Sequence, residues 1–555
     1  MPKVVITLPA YQAEQTLPKT VADIPGNLDA ELILVDDASQ DNTAELGRQM
    51  GIRVFVHHQN RGYGGNQKTC YRLALQEGAD IIVLLHPDYQ YDPKAVPLLI
   101  APILAGDADM TFGSRFAGLG DPLAGGMPHY RYWGNRVTTT LENLMLKARF
   151  TDMHSGLRAY TRKCLLSLPF LRYSEDFLFD SQLIIDAVTS GQRVIEVPIP
   201  TRYSRESSSI SVLRSLGYVG GSLAYCARQT ISRGRRGQRS PVTYNKMRRG
   251  PAVGSGSQVR VKHACLMCQN PLQMLVYPAS TNSPVSGDEF ACTSSSVAKH
   301  DDIVQCPRCG LVSSIPSLTQ KEILESYAEV TDPAYLSEEA ARRELFEWIM
   351  RQLAAYYVPN RRLIEIGSHT GLFLDVAQRR GWTARGIEPS KWAVETGRKR
   401  YAVDLSQGTL EDLPQPATSE NVIVMLDVLE HLVDPLAALR KLRRVIRDEG
   451  LLVFTTVNLS SLHGRLRGER WPWFIRPHLY YFTRETLHGS MQQAGFRIVE
   501  WSVVPRSFHL SYIAERAGTN LGIVGQAASK IARFVDPKVP VGWLGDIIFV
   551  AARPS

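Results

Sequence analysis

Three groups of residues in this chain have the types and spacing to do chemistry. In the first, carboxylates stand where apolar runs end: Asp36 and Asp37 close "ELILVDD", and Asp88 follows the run Ile81–Leu85 in "VLLHPDYQYDP". Two residues later, where an Asp-x-Asp cation motif would repeat its carboxylate, stands Gln90. That loop is either a divalent-cation site with an amide in place of one acid, or only a polar strand end. In the second group, Cys265-x-x-Cys268 and Cys306-x-x-Cys309 form two knuckles with 37 residues between them. Each presents two thiolates from one tight turn, and two such turns close a tetrahedral, structural Zn²⁺. In the third, Gly367-Ser-His-Thr-Gly371 joins a strand-like run to a helix-like one, with Glu365 just before it and Glu388 at the next strand end. Glycines let a cofactor approach the backbone there, Glu365 can reach its polar end, and Glu388 suits a ribose diol. Asp427, Glu430 and His431 follow at another strand end, and His478 lies in a Pro/aromatic loop. The two histidines are the general bases in view, although His431 reads equally well as a helix cap.

These residues need two α/β scaffolds to position them. Before residue 228, strand-like runs ("KVVITLPA", "ELILVDDAS", "IRVFVHH", "DIIVLLH", "ADMTFGS") alternate with helix-like ones. That alternation predicts a mostly parallel sheet with helices on both faces, whose ligands bind beyond the carboxyl ends of the strands. A second series follows later: "RLIEIGS", "ARGIEPS", "NVIVMLDV", "GLLVFTTV" and "DIIFVAARP". The reading is an α/β multidomain chain: 1–227, a basic linker 228–258, a zinc ribbon 259–318, a helical connector 319–358 and a second α/β domain 359–555. The length of 555 residues is too great for one core.

Charge is unevenly placed. The formal net charge is +9, yet residues 228–262 alone hold ten Lys/Arg and no acid, so the rest of the chain is close to neutral. This segment is a solvated tether or an attachment to anionic membrane, since "SVLRSLGYVGGSLAYCARQ" before it can form a weakly amphipathic helix. Nucleic acid is disfavoured, because no base-reading module accompanies the charge. With no apolar run of about 18 residues and no signal-peptide pattern, the expected location is cytoplasmic, peripheral at the inner face of the membrane at most.

The first half resembles the family-2 inverting glycosyltransferases of GT-A fold, in particular the dolichol-phosphate-mannose-synthase-like branch. The resemblance runs through "LPAYQAEQTL", "VDDASQDNT", "NRGYGGNQKT", "GSRF", "MPHYRYWGN" and "TDMHSGLRAYTR", in that order. It implies a nucleotide-sugar donor with Pro9 and Tyr11 beside the nucleotide, Asp37 on base or ribose, Arg115 near the diphosphate, and Arg131 and Arg202 also at the donor. The family's Asp-x-Asp-x-Gln then aligns its second Asp with Asp88 and its Gln with Gln90, His86 replacing the first Asp. It implies Mg²⁺ or Mn²⁺ on Asp88 and Gln90, and a glycan or lipid-linked acceptor. Asp176 resembles the family's base, although a helix cap explains the same letters.

The last domain resembles class I S-adenosylmethionine methyltransferases, of the zinc-ribbon-containing sugar type. Glu365, Gly367, Gly371, Glu388 and Asp427 would hold S-adenosylmethionine, and His478 or His431 would be the base. Sugar C-methyltransferases of this type place Tyr and Glu shortly before the corresponding His; here Ile475 and Pro477 occupy those places, which favours O-methylation. The whole reads as a bifunctional enzyme of glycan or glycolipid synthesis. The alternative is a polyprenyl-phosphate glycosyltransferase whose second half is only a scaffold or binding module.

Overall fold

The computed structural model describes residues 2–26, 28–117, 122–123, 126–200, 212–236, 260–281, 283–294, 298–413, 421–505, 507–509, 538–540 and 545–555. The chain divides into two compact units, Met1–Ser240 with Ala354–Tyr357, and Pro241–Leu353 with Val358–Ser555.

The first unit is built on β1 (Val4–Ala10), β2 (Ala30–Asp36), β3 (Arg53–Val56), β4 (Ile81–Leu84), β5 (Met110–Ser114), β6 (Arg158–Thr161) and β7 (Val194–Pro198). They form one sheet in the order β3-β2-β1-β4-β6-β5-β7. Only β6 runs antiparallel to its neighbours. Every residue of β1 and β4 is buried, as expected for strands covered on both faces. Alternate residues feed two cores: Val5, Ile33, Ile82 and Leu84 enter one, and Val4, Ile6, Leu34 and Val83 the other. The helices are α1 (Leu17–Ala22), α2 (Thr43–Gln49), α3 (Gly62–Gln76), α4 (Val96–Leu104), α5 (His129–Leu146), α6 (Arg162–Ser167), α7 (Leu178–Thr189) and α8 (Val212–Arg236). The helix expected before the linker is thus present as α8, and it runs past residue 228. The rest of the linker, 237–258, lies outside the described residues, as does Arg202.

The second unit opens with β8 (Arg260–Lys262), β9 (Leu272–Tyr277), β10 (Asp302–Gln305) and β11 (Val312–Ile315), followed by α9 (Gln320–Glu329) and α10 (Glu339–Leu353). The α/β part contains β12 (Arg362–Ile366), α11 (Leu372–Arg379), β13 (Thr383–Glu388), α12 (Lys391–Tyr401), β14 (Asp404–Gln407) and β15 (Val422–Leu426). It continues with α13 (Pro435–Val445), β16 (Leu451–Val457), α14 (Leu462–Arg467), β17 (Tyr480–Tyr481), α15 (Arg484–Gln493) and β18 (Phe496–Val503). A separate pair, β19 (Ser507–His509) with β20 (Lys538–Pro540), precedes the last strand, β21 (Ile547–Pro554). The large sheet reads β14-β13-β12-β15-β16-β21-β18, with β21 wedged antiparallel between β16 and β18.

The cysteine-bearing segment is not a separate body. Its sheet, β17-β11-β10-β9-β8, takes its edge strand from the α/β part, pairing Val312 with Tyr481 and Ser313 with Tyr480. Cys265, Met267, Cys306, Cys309 and Leu311 share a core with Phe482, Leu487 and Met491. Close approaches position the cofactor-side loop in the same way. A Cβ on Gly397 of α12 would stand 2.3 Å from the Thr370 carbonyl oxygen, whereas one on Gly287 would meet nothing within 4 Å. Gly397→Ala is therefore expected to destabilise the chain by about 1–3 kcal/mol, the usual cost of overpacking. Gly287→Ala is expected to be near neutral, and chemical denaturation of the two variants checks the contrast.

Candidate functional sites at the strand ends

In the first unit the chain leaves β1 toward β2 on one side, while β4 pairs on the other. The crevice beyond the carboxyl ends of β1, β2 and β4 is the switch point where α/β sheets take ligands. Pro9 stands at that end of β1, opposite Val35, and Tyr11 beyond it is exposed. Asp36 receives the backbone N–H and the hydroxyl of Ser39, which fold the next turn. Asp37 is buried and turned inward. Its carboxylate accepts from Arg61 N at 2.8 Å and Gly62 N at 3.0 Å, and contacts His57 Nδ1 at 2.7 Å. The Asp37 carboxylate anchors the glycine-bearing loop that opens α3.

Asp88 stands half-buried after β4, its Oδ1 accepting from Gln90 N at 3.1 Å, with Tyr89 between them at φ +57°. That left-handed turn puts Asp88 and Gln90 on one tight loop. His86 sits deeper, stacked on Tyr63 (ring centroids 5.2 Å apart) with Nε2 3.1 Å from the Tyr63 hydroxyl. Burial holds its imidazole below its ordinary pKa, against the opposing pull of Asp88 and Asp180. Tyr63 donates to Asp180 Oδ2 at 2.7 Å, and buried Arg158 lies 3.9 Å from Asp180 Oδ1.

The acid drawn into this cluster is thus Asp180, not Asp176. Asp176 is exposed, one turn earlier at the mouth of α7, and accepts from Phe177 N at 2.8 Å. The spacing Asp176-x-x-x-Asp180, one helical turn, was the available signal; nothing in the sequence distinguished its two ends. Arg115 is buried in a two-pronged pair with Asp152, at 2.6 and 2.9 Å. Burial alone would raise the Asp152 carboxyl, but the Arg115 guanidinium holds it below its ordinary value. The Arg115 fork thus pairs with Asp152 through Nε and Nη2. Arg131 lies in the first turn of α5 against the Tyr130 ring and hydroxyl.

In the second unit, Gly367 (φ +71°) and Gly371 (φ +72°) bracket the turn between β12 and α11. A Cβ on Gly367 would come within 2.6 Å of Val428. Glu388 at the end of β13 accepts from His369 N at 2.8 Å and Ser390 N at 3.0 Å. Burial outweighs these donors and lifts its carboxyl to about 7. Glu365, buried on β12, is pushed well above the carboxylate range, and its Oε2 has no hydrogen-bond partner. Asp427 (φ +54°) accepts from the Thr455 hydroxyl at 2.7 Å.

The two candidate bases meet: the His431 and His478 rings lie 4.7 Å apart. His478 Nδ1 is 2.9 Å from the Trp473 carbonyl and His431 Nδ1 is 3.0 Å from that of Pro477. A carbonyl only accepts, so the His478 proton sits on Nδ1 and its Nε2 is left as an acceptor. Burial keeps both rings neutral, holding His431 at about 4 and His478 well below its ordinary value. His431 does not cap a helix with its side chain; Tyr327 of α9, which sequence reasoning passed over, reaches its Nδ1 at 2.6 Å. The four knuckle cysteines stand together, with Cys265 and Cys309 sulfurs 3.4 Å apart and those of Cys268 and Cys306 3.5 Å apart. Disulfides require about 2.05 Å, whereas a Zn–S bond near 2.3 Å with tetrahedral angles spaces sulfurs by about 3.8 Å.

Comparison with known proteins meets this geometry. A glycosyl transferase family 2 model matches residues 5–167, and a methyltransferase domain model matches residues 337–501. An uncharacterised protein of Methanocaldococcus jannaschii is 30% identical over 207 residues, 37% of this chain and 84% of the relative. The UDP-N-acetylglucosamine–dolichyl-phosphate N-acetylglucosaminyltransferase of Methanococcus voltae is 26% identical over 230 residues, 38% of this chain and 91% of that protein. Among solved structures, glucosyl-3-phosphoglycerate synthase of Mycobacterium tuberculosis is similar at 22% identity and TM-score 0.33, over 40% of this chain and 78% of that one. An S-adenosylmethionine-dependent methyltransferase of Thermotoga maritima, possibly a histamine N-methyltransferase, is similar at 22% identity and TM-score 0.28, over 42% and 99%. The chain belongs to glycosyl transferase family 2 through its N-terminal domain, of GT-A fold, and carries a methyltransferase domain at its C-terminus.

The Glu388 environment has a consequence for stability. An unfolded Glu releases its proton near 4.5, whereas the folded one holds it to about 7. Between those values the native state binds the extra proton, so stability falls as pH rises through the window. Glu388→Gln is expected to flatten this decline, by up to roughly 3 kcal/mol at about 1.4 kcal/mol per pH unit. Urea midpoints measured from pH 4.5 to 8 on both proteins check it.

Proposed function

We propose that the chain is a bifunctional enzyme that transfers a sugar from a nucleotide donor to a polyprenyl phosphate and O-methylates a sugar hydroxyl. The observation that carries the first half is the strand-end crevice with Asp88 and Gln90 on one tight turn. The relatives that act on dolichyl phosphate support the acceptor. A carboxylate and an amide are hard oxygen donors and fit Mg²⁺ or Mn²⁺. A cation held by Asp88 and Gln90 would neutralise the departing nucleoside diphosphate.

A phosphate oxygen of the acceptor then attacks the anomeric carbon as the bond to the diphosphate breaks, inverting the configuration. An ionised lipid phosphate needs no general base, which accords with Asp176 standing exposed on the rim. Asp37 and Asp180 act by position, the first holding the glycine loop and the second holding Tyr63 and Arg158 behind the crevice.

In the second unit the partnerless Glu365 oxygen and the glycine turn fit S-adenosylmethionine, which supplies an electrophilic methyl group when bound. Glu388 would hold its ribose, and the His369 backbone is already placed by that acid. His478, with Nε2 unprotonated, would take the proton of the sugar hydroxyl as its oxygen accepts the methyl group. His431 would orient His478 across the 4.7 Å ring contact. Ile475 and Pro477 stand where a C-methyltransferase of this type places Tyr and Glu, so the product is an ether.

Mass spectrometry of products from a panel of nucleotide sugars and polyprenyl phosphates, with and without S-adenosylmethionine, tests the whole. Asp88→Ala should abolish sugar transfer while leaving methyl transfer intact, excess EDTA should abolish sugar transfer, and Gly367→Arg should abolish methyl transfer while sparing sugar transfer. Undiminished transfer in EDTA refutes the cation; absent S-adenosylmethionine binding reduces the second unit to a scaffold.

The Cys265, Cys268, Cys306 and Cys309 cluster is proposed as a structural zinc site. Elemental analysis should find about one zinc per chain. Cys306→Ser should lower stability by several kcal/mol, because such metal binding contributes directly to folding.

A further inference from the structure

Three side chains of the second unit, used by neither proposed reaction, converge on one point. Cys292 belongs to the insertion between β9 and β10, Asp332 to the loop between α9 and α10, and His369 to the glycine turn between β12 and α11. The Cys292 sulfur, a carboxylate oxygen of Asp332 and a ring nitrogen of His369 all lie within 4.8 Å of one another. His369 Nε2 is 3.8 Å from Asp332 Oδ2.

His369 is the unsatisfied member. Its ring stacks on Tyr335 with centroids 3.8 Å apart and meets Trp392 edge-on at 6.0 Å. Both ring nitrogens are buried, and neither has a hydrogen-bond partner among the described residues. Buried polar atoms left unpaired are costly, and the lone pair of a neutral imidazole suits a cation. Asp332 is buried and already aimed. Its Oδ2 accepts from Thr293 N at 3.1 Å, and its Oδ1 from the Thr293 hydroxyl and from Tyr335 N at 3.3 Å. Outer hydrogen bonds of this kind orient ligating carboxylates. They also fix the turn that carries Cys292, the residue before Thr293. Cys292 is the exposed one of the eight cysteines, so an ion can reach it. A cavity of about 390 Å³ lined by Glu289, Thr293 and Asp332 lies alongside.

The donor set selects the ion. A thiolate and a carboxylate together neutralise a divalent cation. Sulfur and imidazole nitrogen favour zinc and its transition-metal neighbours over Mg²⁺ and Ca²⁺, which take oxygen. Tetrahedral bonds of about 2.1 Å would set the His369 nitrogen and the Asp332 oxygen about 3.4 Å apart. That pair therefore has to close by only a few tenths of an ångström. Three protein ligands leave the fourth position to water or another small donor, unlike the closed set of a structural site.

We propose that Cys292, Asp332 and His369 form a second metal site, for a zinc-class divalent ion with one open coordination position, separate from the four-cysteine cluster. The ion ties the insertion and the helical connector to the turn that opens α11. The inference goes beyond the two transfer reactions and depends on neither.

Cobalt(II) titration of the full chain, after chelation mild enough to spare the four-cysteine cluster, tests it. One equivalent should bind with a thiolate-to-cobalt charge-transfer absorption. Cys292→Ser should remove that absorption and weaken the binding at least tenfold, with an unchanged thermal midpoint because Cys292 is exposed. His369→Gln should weaken the same binding. Saturating Zn²⁺ should also slow alkylation of Cys292 by iodoacetamide at least tenfold, a readout that needs no variant. Three results overturn the proposal. The first is no equivalent beyond the four-cysteine cluster, and the second is alkylation that zinc leaves unchanged. The third is an equivalent that lacks the absorption or survives Cys292→Ser, which places the ion elsewhere, for example on Glu430, His431 and His478.

Discussion

A buried carboxylate committed to backbone amides sets the geometry of both candidate sites. Asp37, just past β2, receives Arg61 N and Gly62 N, and so holds the loop that opens α3. Glu388, at the end of β13, receives His369 N and Ser390 N, and so holds the turn that opens α11. In each sheet the acid ends the strand beside the first strand, and the amides belong to a glycine-bearing turn. A buried carboxyl group that accepts from backbone N–H groups pairs donors that would otherwise be left unsatisfied. Turns of this kind would otherwise expose unpaired amides at the rim of a crevice. The remaining site residues follow from these two anchors. The α3 start carries Tyr63 to His86 and Asp180, and the α11 start carries His369 beside Glu388.

Strands that are buried on both faces announce themselves, because continuous runs such as "VVITLPA" and "LLVFTTV" have no solvent side. The runs quoted for both series became strands, the largely exposed β3 included. Short elements with mixed faces did not show: β6 contains Arg158, fully buried but charged, and β7 is only half covered. Their placement depends on pairing across the sheet, a non-local property. The same limit applies to the sites. Which residues end a strand is local information, so Asp37, Asp88, Glu388 and Asp427 could be located from the chain. Which way each carboxylate turns is decided by partners far away in sequence. Asp37 is turned by residues 57–62, Arg115 by Asp152, and the acid of α7 that counts by Tyr63, 117 residues from Asp180.

The cysteine segment shows how a motif can be legible while its role is not. Two knuckles at regular spacing point to a four-sulfur cluster, and the sulfurs do converge. The segment packs on the α/β part, because β17 completes the ribbon sheet, and the insertion between β9 and β10 reaches the loop of His369. There Glu289 lies 3.3 Å from Arg476 Nη1, and Thr293 donates to Asp332, which stands 3.8 Å from His369 Nε2. Loss of the cluster would therefore disturb the loop carrying His478 as well as the fold, since Arg476 is two residues from that histidine.

The two sites differ in how they treat acids, and the difference suits their proposed ligands. In the first unit Asp152 is kept ionised by a guanidinium, which fixes a pair of compensated charges. In the second, Glu365, Glu388 and Glu430 are all lifted by burial, the last two to about 7 and about 8. A pocket of this kind carries little net charge while empty, which avoids the cost of isolated buried anions. A cationic ligand reverses the balance, because a positive charge within a few ångströms favours the ionised carboxylate.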